Sequence, residues 1–365
     1  MPRFWKNLTQ ALCGAPAVCV AVPLFLFLAV SVTFGQNVQN GRAVFEERRI
    51  RAYKYLGADE HIMRMTLPRI TRQEGNAPGS WVYEWRTIGE YYEKLGDSAT
   101  SRQEGLHAYM TAGVYYAIAW FPRITDAEQD QAYQAQLRVY QKGGKLFDVP
   151  LEVVRVPFKG GDLVTYLHRP PGVEKPPLVI YSGGVDQYKA NHYRPIQDYL
   201  AKGLAVATFD MPGFGESRQW PQVQNSEPHI AILAHYMKRG DIDTRHISFF
   251  GQSYGGGAVL RVALLNDPRI TAVVAMCAGI RSRTGKSLVD EGKIGQGKTI
   301  TTPLLVVNGT RDPGNPVSDL MMTHGSAVES DLWLLGLGEH CAVEYYPVVM
   351  PHVAAWLLEK INKTK

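Results

Sequence analysis

The sequence has few cysteines, and it has no dense basic run, no repeat of fixed period and no long low-complexity tract. Outside the first 35 residues only Cys277 and Cys341 remain. One bridge between them is allowed but not implied, and two cysteines give neither a disulfide framework nor metal-ligand spacing. The net charge of +5 is spread along the chain, so we expect a solvated surface and no nucleic-acid partner. Gly213 and Gly215 lack the third glycine of a dinucleotide fingerprint, and we therefore expect no cofactor and no metal.

The one long apolar stretch is the first segment of the chain. A basic start precedes an uncharged run from about residue 11 to residue 34, which is the pattern of a secretory signal. Thr33 and Gly35 are small residues suitably spaced for cleavage before Gln36, but the run is also long enough to cross a bilayer. Residues 1–35 are therefore interpreted as a signal peptide or a membrane anchor. Either interpretation puts the rest of the chain outside the cytoplasm, as a secreted, periplasmic or membrane-anchored protein.

Residues 41–145 are predicted to form a helical domain. Aromatic and aliphatic side chains recur there at three- and four-residue steps, the period of an amphipathic helix: Trp81, Trp85, Ile88 and Tyr92. The predicted helices span residues 81–96, 97–120 and 125–140. Thr125 stands three residues before Glu128, which predicts a capping box at the start of the third helix.

The period changes after residue 145, and strands then alternate with helices. Two β-rich segments flank Lys159-Gly160-Gly161, which predicts a hairpin. The predicted strands are residues 151–158, 162–168, 177–181, 205–209, 247–250, 270–276, 303–307 and 331–335, and the predicted helices are residues 193–202, 228–238, 254–264 and about 348–361. Such alternation favours an α/β fold with a mostly parallel sheet covered by helices on both faces. Residues 146–365 are therefore assigned to a second domain.

The segment from Gly251 to Gly255 fits the pattern G-x-S-x-G, directly after an apolar strand and directly before a helix. In that position a tight turn lifts the serine oxygen to the edge of the sheet, and small residues two before and two after avoid clashes. The turn also directs the backbone N–H of Tyr254 and the helix N-terminus at developing negative charge. Ser253 is therefore the predicted nucleophile.

A serine nucleophile needs a base, and the base needs an orienting carboxylate. His340 follows the predicted strand 331–335 and precedes the last helix, which is the place for a base. Asp312 lies on the turn after strand 303–307 and is the predicted acid, with Asp290 and Glu291 as reserve candidates. Three other histidines are interpreted as structural, His229, His246 and His352. Two more, His192 and His324, are left open as surface or pocket residues.

The oxyanion hole needs a second N–H group opposite that of Tyr254. Gly183 and Gly184 form a turn immediately after the apolar strand 177–181, where the backbone can approach a substrate oxygen closely. Val185 is the predicted donor, and Gly184 shapes the turn with its neighbour. The turn over residues 210–217 is interpreted as structural.

These segments together resemble a known group of enzymes. The pieces that carry the resemblance are Gly183-Gly184-Val185-Asp186, Asp210-Met211-Pro212-Gly213-Phe214-Gly215-Glu216-Ser217, Gly251-Gln252-Ser253-Tyr254-Gly255-Gly256 and Glu339-His340-Cys341. With the aromatic helical region before them, they are similar to the FrsA-like esterases and the 2,6-dihydropseudooxynicotine hydrolase group of the α/β-hydrolase superfamily. The resemblance implies an α/β-hydrolase fold with an N-terminal helical cap over the active site, and Ser253, His340 and Asp312 in the roles named above.

Two activities follow from the resemblance, hydrolysis of carboxylic esters and cleavage of C–C bonds in ketone substrates. We expect hydrolysis of an ester or related acyl compound, with C–C hydrolysis of a β-diketone-like substrate as the alternative. A peptidase is disfavoured because no propeller or other peptide-gating domain precedes the hydrolase part. A binding protein on a hydrolase scaffold is disfavoured because binding would not require all three residues. The expected partner is a small-molecule substrate, and a homodimer is left open.

Overall fold

The computed structural model describes residues 45–281, 287, 288, 294 and 299–363. The predicted signal or anchor, residues 1–35, lies outside the described residues, as do Asp290 and Glu291. Among the helices that the structure does describe, none combines the length and the apolar character needed to cross a lipid bilayer.

In the described part of the chain, five α-helices precede the first strand. They are α1 (Glu47–Leu56), α2 (Glu60–Thr66), α3 (Trp81–Asp97), α4 (Arg102–Trp120) and α5 (Ala127–Gly144). The predicted aromatic stripe faces the helical core: Trp81 and Trp85 are fully buried, and Ile88 and Tyr92 are half-buried against the same core. The predicted capping box is wrong. The side chain of Asp126 accepts from the N–H of Gln129 and caps α5, because it precedes the first helical turn directly.

Eight strands form one sheet in the order β1-β2-β4-β3-β5-β6-β7-β8. They are β1 (Glu152–Phe158), β2 (Gly161–His168), β3 (Pro177–Ser182), β4 (Ala205–Phe209), β5 (Asp243–Gln252), β6 (Ile270–Met276), β7 (Leu304–Gly309) and β8 (Ser330–Leu335). Strand β2 is antiparallel to both of its neighbours, and the remaining pairs are parallel. Strands β4, β6 and β7 are buried along their whole length, as expected for a parallel sheet covered on both faces.

Four of the five later helices fall where the sequence predicts them, and the helix between β7 and β8, Val317–Gly325, is not predicted. The five helices are α6 (Tyr193–Leu200), α7 (Glu227–Tyr236), α8 (Tyr254–Ala263), α9 (Val317–Gly325) and α10 (Tyr346–Lys363). A short 3-10 helix, His340–Tyr345, joins β8 to α10. The carboxyl ends of the parallel strands lie at one edge of the sheet, where ligands bind in open α/β folds. The division at residue 145 into a helical and an α/β domain stays a prediction, and the described residues belong to one compact unit.

A buried ionic network connects helix α5 to the sheet edge. Lys189 follows β3 and is completely enclosed, and its Nζ lies 2.7 Å from Oδ2 of Asp210, which follows β4. The hydroxyl of Tyr133 on α5 donates to the same carboxylate. Burial alone would raise the pKa of Asp210, but the Lys189 ammonium and these hydrogen bonds outweigh it and hold the pKa below its usual value. The predicted structural role of the 210–217 turn thus has a physical basis in this network.

Candidate active site

Ser253 occupies the single residue between the end of β5 and the start of α8. Its backbone has φ 54° and ψ −112°, a conformation that non-glycine residues rarely adopt. The neighbouring glycines make the turn sterically accessible. A Cβ on Gly251 would stand 2.3 Å from the carbonyl oxygen of Gly255, and one on Gly255 would stand 2.6 Å from that of Ser182. The sequence pattern therefore folds here as the tight strand-to-helix turn that it predicts.

The structure brings Ser253, His340 and Asp312 together. Ser253 Oγ lies 2.9 Å from His340 Nε2, and His340 Nδ1 lies 2.7 Å from Asp312 Oδ2. The three residues come from the ends of β5, β8 and β7, so the parallel sheet itself places them on one edge. The Asp312 side chain is fully buried, whereas the His340 ring is 26% exposed and opens towards a cavity.

Asp312 keeps its negative charge inside the protein because it accepts several hydrogen bonds. Burial would raise the pKa of Asp312, but His340 and the amides of Asn308 and Asn315 hold it well below its usual value. The Asn308 and Asn315 Nδ2 atoms lie 2.8 and 2.9 Å from Asp312 Oδ2. The backbone N–H of Gly314 donates to the other carboxylate oxygen at 2.8 Å. A fully ionised acid can therefore orient His340 and stabilise its protonated form.

A cavity of about 510 Å³ opens onto Ser253 and His340. Both predicted oxyanion donors line it: Val185, which precedes the nucleophile in the chain, and Tyr254, which directly follows it. Gly184 approaches Ser253 so closely that a Cβ there would stand 3.2 Å from the serine Cβ. The predicted oxyanion turn is thus adjacent to the serine, and the close approach leaves little room for a Cβ at Gly184.

Helix α1 supplies charged side chains to the same cavity. Arg48 donates to the carbonyl oxygen of His340 at 3.3 Å and pairs with Glu339 at 3.5 Å. Arg49 pairs with Asp186 at 2.5 Å. The helical region therefore contacts both the base segment and the oxyanion turn, which ties the shape of the cavity to α1.

The five other histidines named above are outside this relay, but His192 lies beside the glycine turn, where a Cβ on Gly183 would stand 2.9 Å from its Nε2. His229 is buried against Ser182, and His246 is paired with Asp243. His192 is buried beside Tyr181, and His324 bonds to Ser330. His352, which is interpreted above as structural, lies on α10. This residue is exposed, and its Nδ1 bonds to the carbonyl of Val348, because it falls on the outer face of α10.

Cys277 and Cys341 form a disulfide bond. Their sulfur atoms and the His340 ring form a group within 4.8 Å, a distance suitable for metal ligands. The sulfurs are bonded to each other, however, so neither provides the thiolate that a metal would need.

Comparison with known proteins assigns the chain to a family. Residues 70–289 match the Esterase FrsA-like family. The chain belongs to the FrsA-like esterase family. Esterase FrsA of Vibrio cholerae serotype O1 (strain ATCC 39541 / Classical Ogawa 395 / O395) is 29% identical over 287 residues, which is 67% of this chain and 68% of the relative. Esterase FrsA of Vibrio vulnificus (strain YJ016) is 28% identical over 300 residues, 69% of this chain and 71% of the relative.

Solved structures agree with the fold of this FrsA-like esterase. A 2,6-dihydroxy-pseudo-oxynicotine hydrolase superposes with a TM-score of 0.73 at 20% identity, over 86% of this chain and 96% of that protein. Wild-type AbyA5 superposes with a TM-score of 0.64 at 18% identity, over 88% and 100% of the two chains. The predicted resemblance and the predicted α/β-hydrolase fold are confirmed, and the chain is an α/β-hydrolase enzyme.

Sequence reasoning missed several residues around the site of this FrsA-like esterase. Asn308 and Asn315 stand four residues before and three residues after Asp312. Two amides so close to a turn carboxylate on the same loop were a usable signal for a solvating shell. Arg48 and Arg49 gave no such signal, because nothing in the sequence indicates that α1 reaches the strand ends.

Proposed function

We propose that this protein is a serine hydrolase that cleaves a carboxylic ester or related acyl compound through an acyl-enzyme. The observation that carries the proposal is the relay from Ser253 Oγ to His340 Nε2 and from His340 Nδ1 to Asp312 Oδ2, with distances of 2.9 and 2.7 Å. Both lie within hydrogen-bonding range for a nucleophile, its base and the orienting acid. The esterase names of the relatives support an ester as the substrate.

The steps follow from the geometry. The hydroxyl of Ser253 donates its proton to His340 as its oxygen attacks the carbonyl carbon, and the protonated ring then passes the proton to the leaving alcohol. Water enters through the cavity, gives a proton to His340 and attacks the acyl-enzyme. The protonated ring then gives this proton to Ser253 Oγ as the acyl–oxygen bond breaks, which releases the acid and restores the serine. Asp312 stabilises the ring while it is charged, since its own pKa is held well below the usual value.

Negative charge develops on the carbonyl oxygen during both attacks. The N–H groups of Val185 and Tyr254 are the proposed donors to it, with Gly184 allowing the approach of the backbone. Each such donor contributes about 3 kcal/mol to the stability of the transition state in enzymes of this chemistry. Both residues line the cavity together with Ser253 and His340.

The test uses the purified protein with a fluorophosphonate probe and p-nitrophenyl esters of short and medium acyl length. Ser253→Ala and His340→Ala should each lose probe labelling and at least about a thousandfold in ester turnover. The matched controls are Ser98→Ala and His352→Ala, which alter an exposed residue just after the end of α3 and an exposed residue on α10, and both should keep the wild-type rate.

Other outcomes redirect or refute the proposal. Labelling at Ser253 without turnover of any ester would replace the ester by a β-diketone-like substrate cleaved at a C–C bond. Failure of the folded wild-type protein to be labelled would refute the nucleophile and leave a binding role on a hydrolase scaffold.

A further inference from the structure

The disulfide between Cys277 and Cys341 joins two points of the active site rather than two distant surfaces. Cys341 directly follows His340, and Cys277 directly follows β6, whose last residue accepts the N–H of Ser253 at 2.8 Å. Both cysteines line the cavity, and their Cα atoms are 4.7 Å apart. The bond therefore connects the segment that carries the proposed base to the strand beside the proposed nucleophile.

The backbone on both sides of this bond is in an unfavourable conformation. Cys277, Cys341 and Ala342 have φ values of 48°, 64° and 43°, in the left-handed region that residues with a Cβ rarely occupy. Such a conformation persists only where surrounding contacts hold it. The noncovalent contacts here differ in length. The N–H of Cys277 donates to the Val307 carbonyl at 2.7 Å, and that of Ala342 donates to the Glu339 carbonyl at 2.9 Å. Cys341 N–H reaches Asn308 Oδ1 at 3.3 Å, and Arg48 reaches the carbonyl of His340 at 3.3 Å, both longer than the usual 2.7–3.2 Å.

The disulfide also closes a ring of contacts around the base. The carbonyl of Cys277 accepts from the Asn315 amide at 3.2 Å, and the same amide donates to Asp312 Oδ2 at 2.9 Å. Asp312 Oδ2 accepts in turn from His340, which is covalently followed by Cys341. Every member of the ring is fixed by two neighbours while the S–S bond is intact. Opening that bond removes the covalent closure of this ring. His340 is then held by its hydrogen bond to Asp312 and by the backbone hydrogen bonds of its own segment, such as that from Arg311 N–H to the Gly338 carbonyl at 2.8 Å.

We propose that the Cys277–Cys341 disulfide is the positioning element of His340, and that hydrolysis at this site depends on its oxidised state. The inference rests on the proposed function, since it assigns His340 as the base. Reduction by a dithiol such as dithiothreitol breaks one S–S bond and forms two thiols, while the dithiol is oxidised to its cyclic disulfide. The released strain lets His340 move from Ser253, and displacements of about 1 Å from productive geometry cost about a hundredfold in rate.

The experiment compares the oxidised protein, the same protein reduced by dithiothreitol, and the double variant Cys277→Ala/Cys341→Ala. Thiol titration confirms the redox state, and circular dichroism confirms folding at the assay temperature. Reduced samples contain EDTA, because two free thiols beside His340 could collect Zn²⁺ and block the base on their own. Turnover of the p-nitrophenyl esters and the rate of fluorophosphonate labelling are measured from pH 6 to pH 10.

We expect kcat to fall by about ten- to a hundredfold in the reduced protein and in the double variant, with KM changed less than about threefold. The residual rate should rise with pH up to pH 10, since hydroxide then replaces a displaced base. Reoxidation should restore the wild-type protein, and dithiothreitol should not alter the double variant.

Three outcomes would overturn the inference. Wild-type kcat in a folded protein with two free thiols would show that the bond does not position His340. Unfolding of both the reduced protein and the double variant would show that it holds the whole fold. Failure of the oxidised wild-type protein to be labelled at Ser253 would refute the proposed function itself, and the inference with it.

Discussion

At Asp312 a buried carboxylate keeps its charge because amide and ring donors surround it. The sequence predicts this residue from its place after a strand. The structure adds Asn308 and Asn315 as the groups that stabilise its ionised form in a buried site. A position along the chain can be read from strand order. The hydrogen bonds to the Asp312 carboxylate depend on which side chains of the same turn fold back onto it. The hydrophobic periodicity of the sequence does not predict such contacts.

Asp312→Asn should lower kcat by about a thousand- to ten-thousandfold, because the amide favours the wrong tautomer of His340. The loss should be equally large at pH 6 and pH 9, since the pKa of Asp312 is held well below this range and its charge does not change there. The loss is measured as the rate of ester turnover by the purified variant at both pH values.

The matched controls are Asp290→Asn and Glu291→Gln, the reserve candidates for the acid. Each should retain activity within about threefold of wild type. A large loss in either control, with Asp312→Asn active, would transfer the role of the acid to the loop after β6.

Among the elements, β3 and β4 are joined to α5 by the Lys189–Asp210–Tyr133 network. Lys189 is completely buried and pairs with both Asp210 and Glu216. The residue stands four positions after Val185, so the network also fixes the chain that forms the proposed oxyanion turn. The sequence predicts the turn after β4 as structural, but it gives no sign of a buried lysine, because Lys189 looks like any surface cation in a polar loop.

Lys189→Met should destabilise the protein by about 3–5 kcal/mol, since it leaves the Asp210 carboxylate buried without its cation. Urea unfolding followed by circular dichroism measures the loss. Lys54→Met is the control, because Lys54 forms an exposed pair with Glu60 and should cost less than about 1 kcal/mol. Equal effects of the two changes would show that the buried pair does not stabilise the fold.

Helices α3 and α5 are connected by a second cluster, centred on the largely buried Glu93. Burial would raise the pKa of Glu93, but Arg138, Tyr116 and Lys142 outweigh it and lower the pKa from 4.5 to about 2. A carboxylate with a lowered folded-state pKa stabilises the protein above its unfolded pKa, and this contribution disappears as the pH falls from about 4.5 to about 2.

Glu93→Gln should therefore lower the free energy of unfolding by about 2–3 kcal/mol at pH 7 and by progressively less below pH 4.5. Thermal unfolding of wild type and variant between pH 3 and pH 7 measures the difference. Glu90→Gln, at an exposed pair with Arg86, should change it by less than about 0.5 kcal/mol throughout. A pH-independent gap for Glu93→Gln would mean that packing, rather than charge, explains its effect.

At the scale of the molecule, much of the fold could be predicted from the sequence. All eight strands and four of the five later helices fall where hydrophobic periodicity places them, because a sheet buried on both faces requires continuous apolar runs. The exception is α9, which is not predicted. The order of the strands within the sheet could not be predicted from these patterns, since the position of β4 between β2 and β3 depends on tertiary packing. Helix α1, which lines the cavity, also had no individual signal in the sequence.

Export stays a prediction for the whole molecule. Cell fractionation of the full chain should find the hydrolase outside the cytoplasm, and a chain lacking residues 1–35 should remain inside, because the basic start and apolar run would direct translocation. Mass spectrometry of the recovered protein distinguishes cleavage before Gln36 from a retained anchor. Recovery of the full chain in the cytoplasmic fraction would exclude both interpretations.

The disulfide also sets the order in which the protein matures. Its cysteines are 64 residues apart, with β7 and β8 between them, so the bond can close only after those strands have been synthesised. Disulfides persist in oxidising compartments and are rare in the cytosol. With the positioning role proposed above, the newly made chain would fold with its serine in place yet remain a dormant zymogen-like form. Oxidation, rather than proteolysis, would then be its activating step, and the cell that makes the enzyme would be protected from it during synthesis.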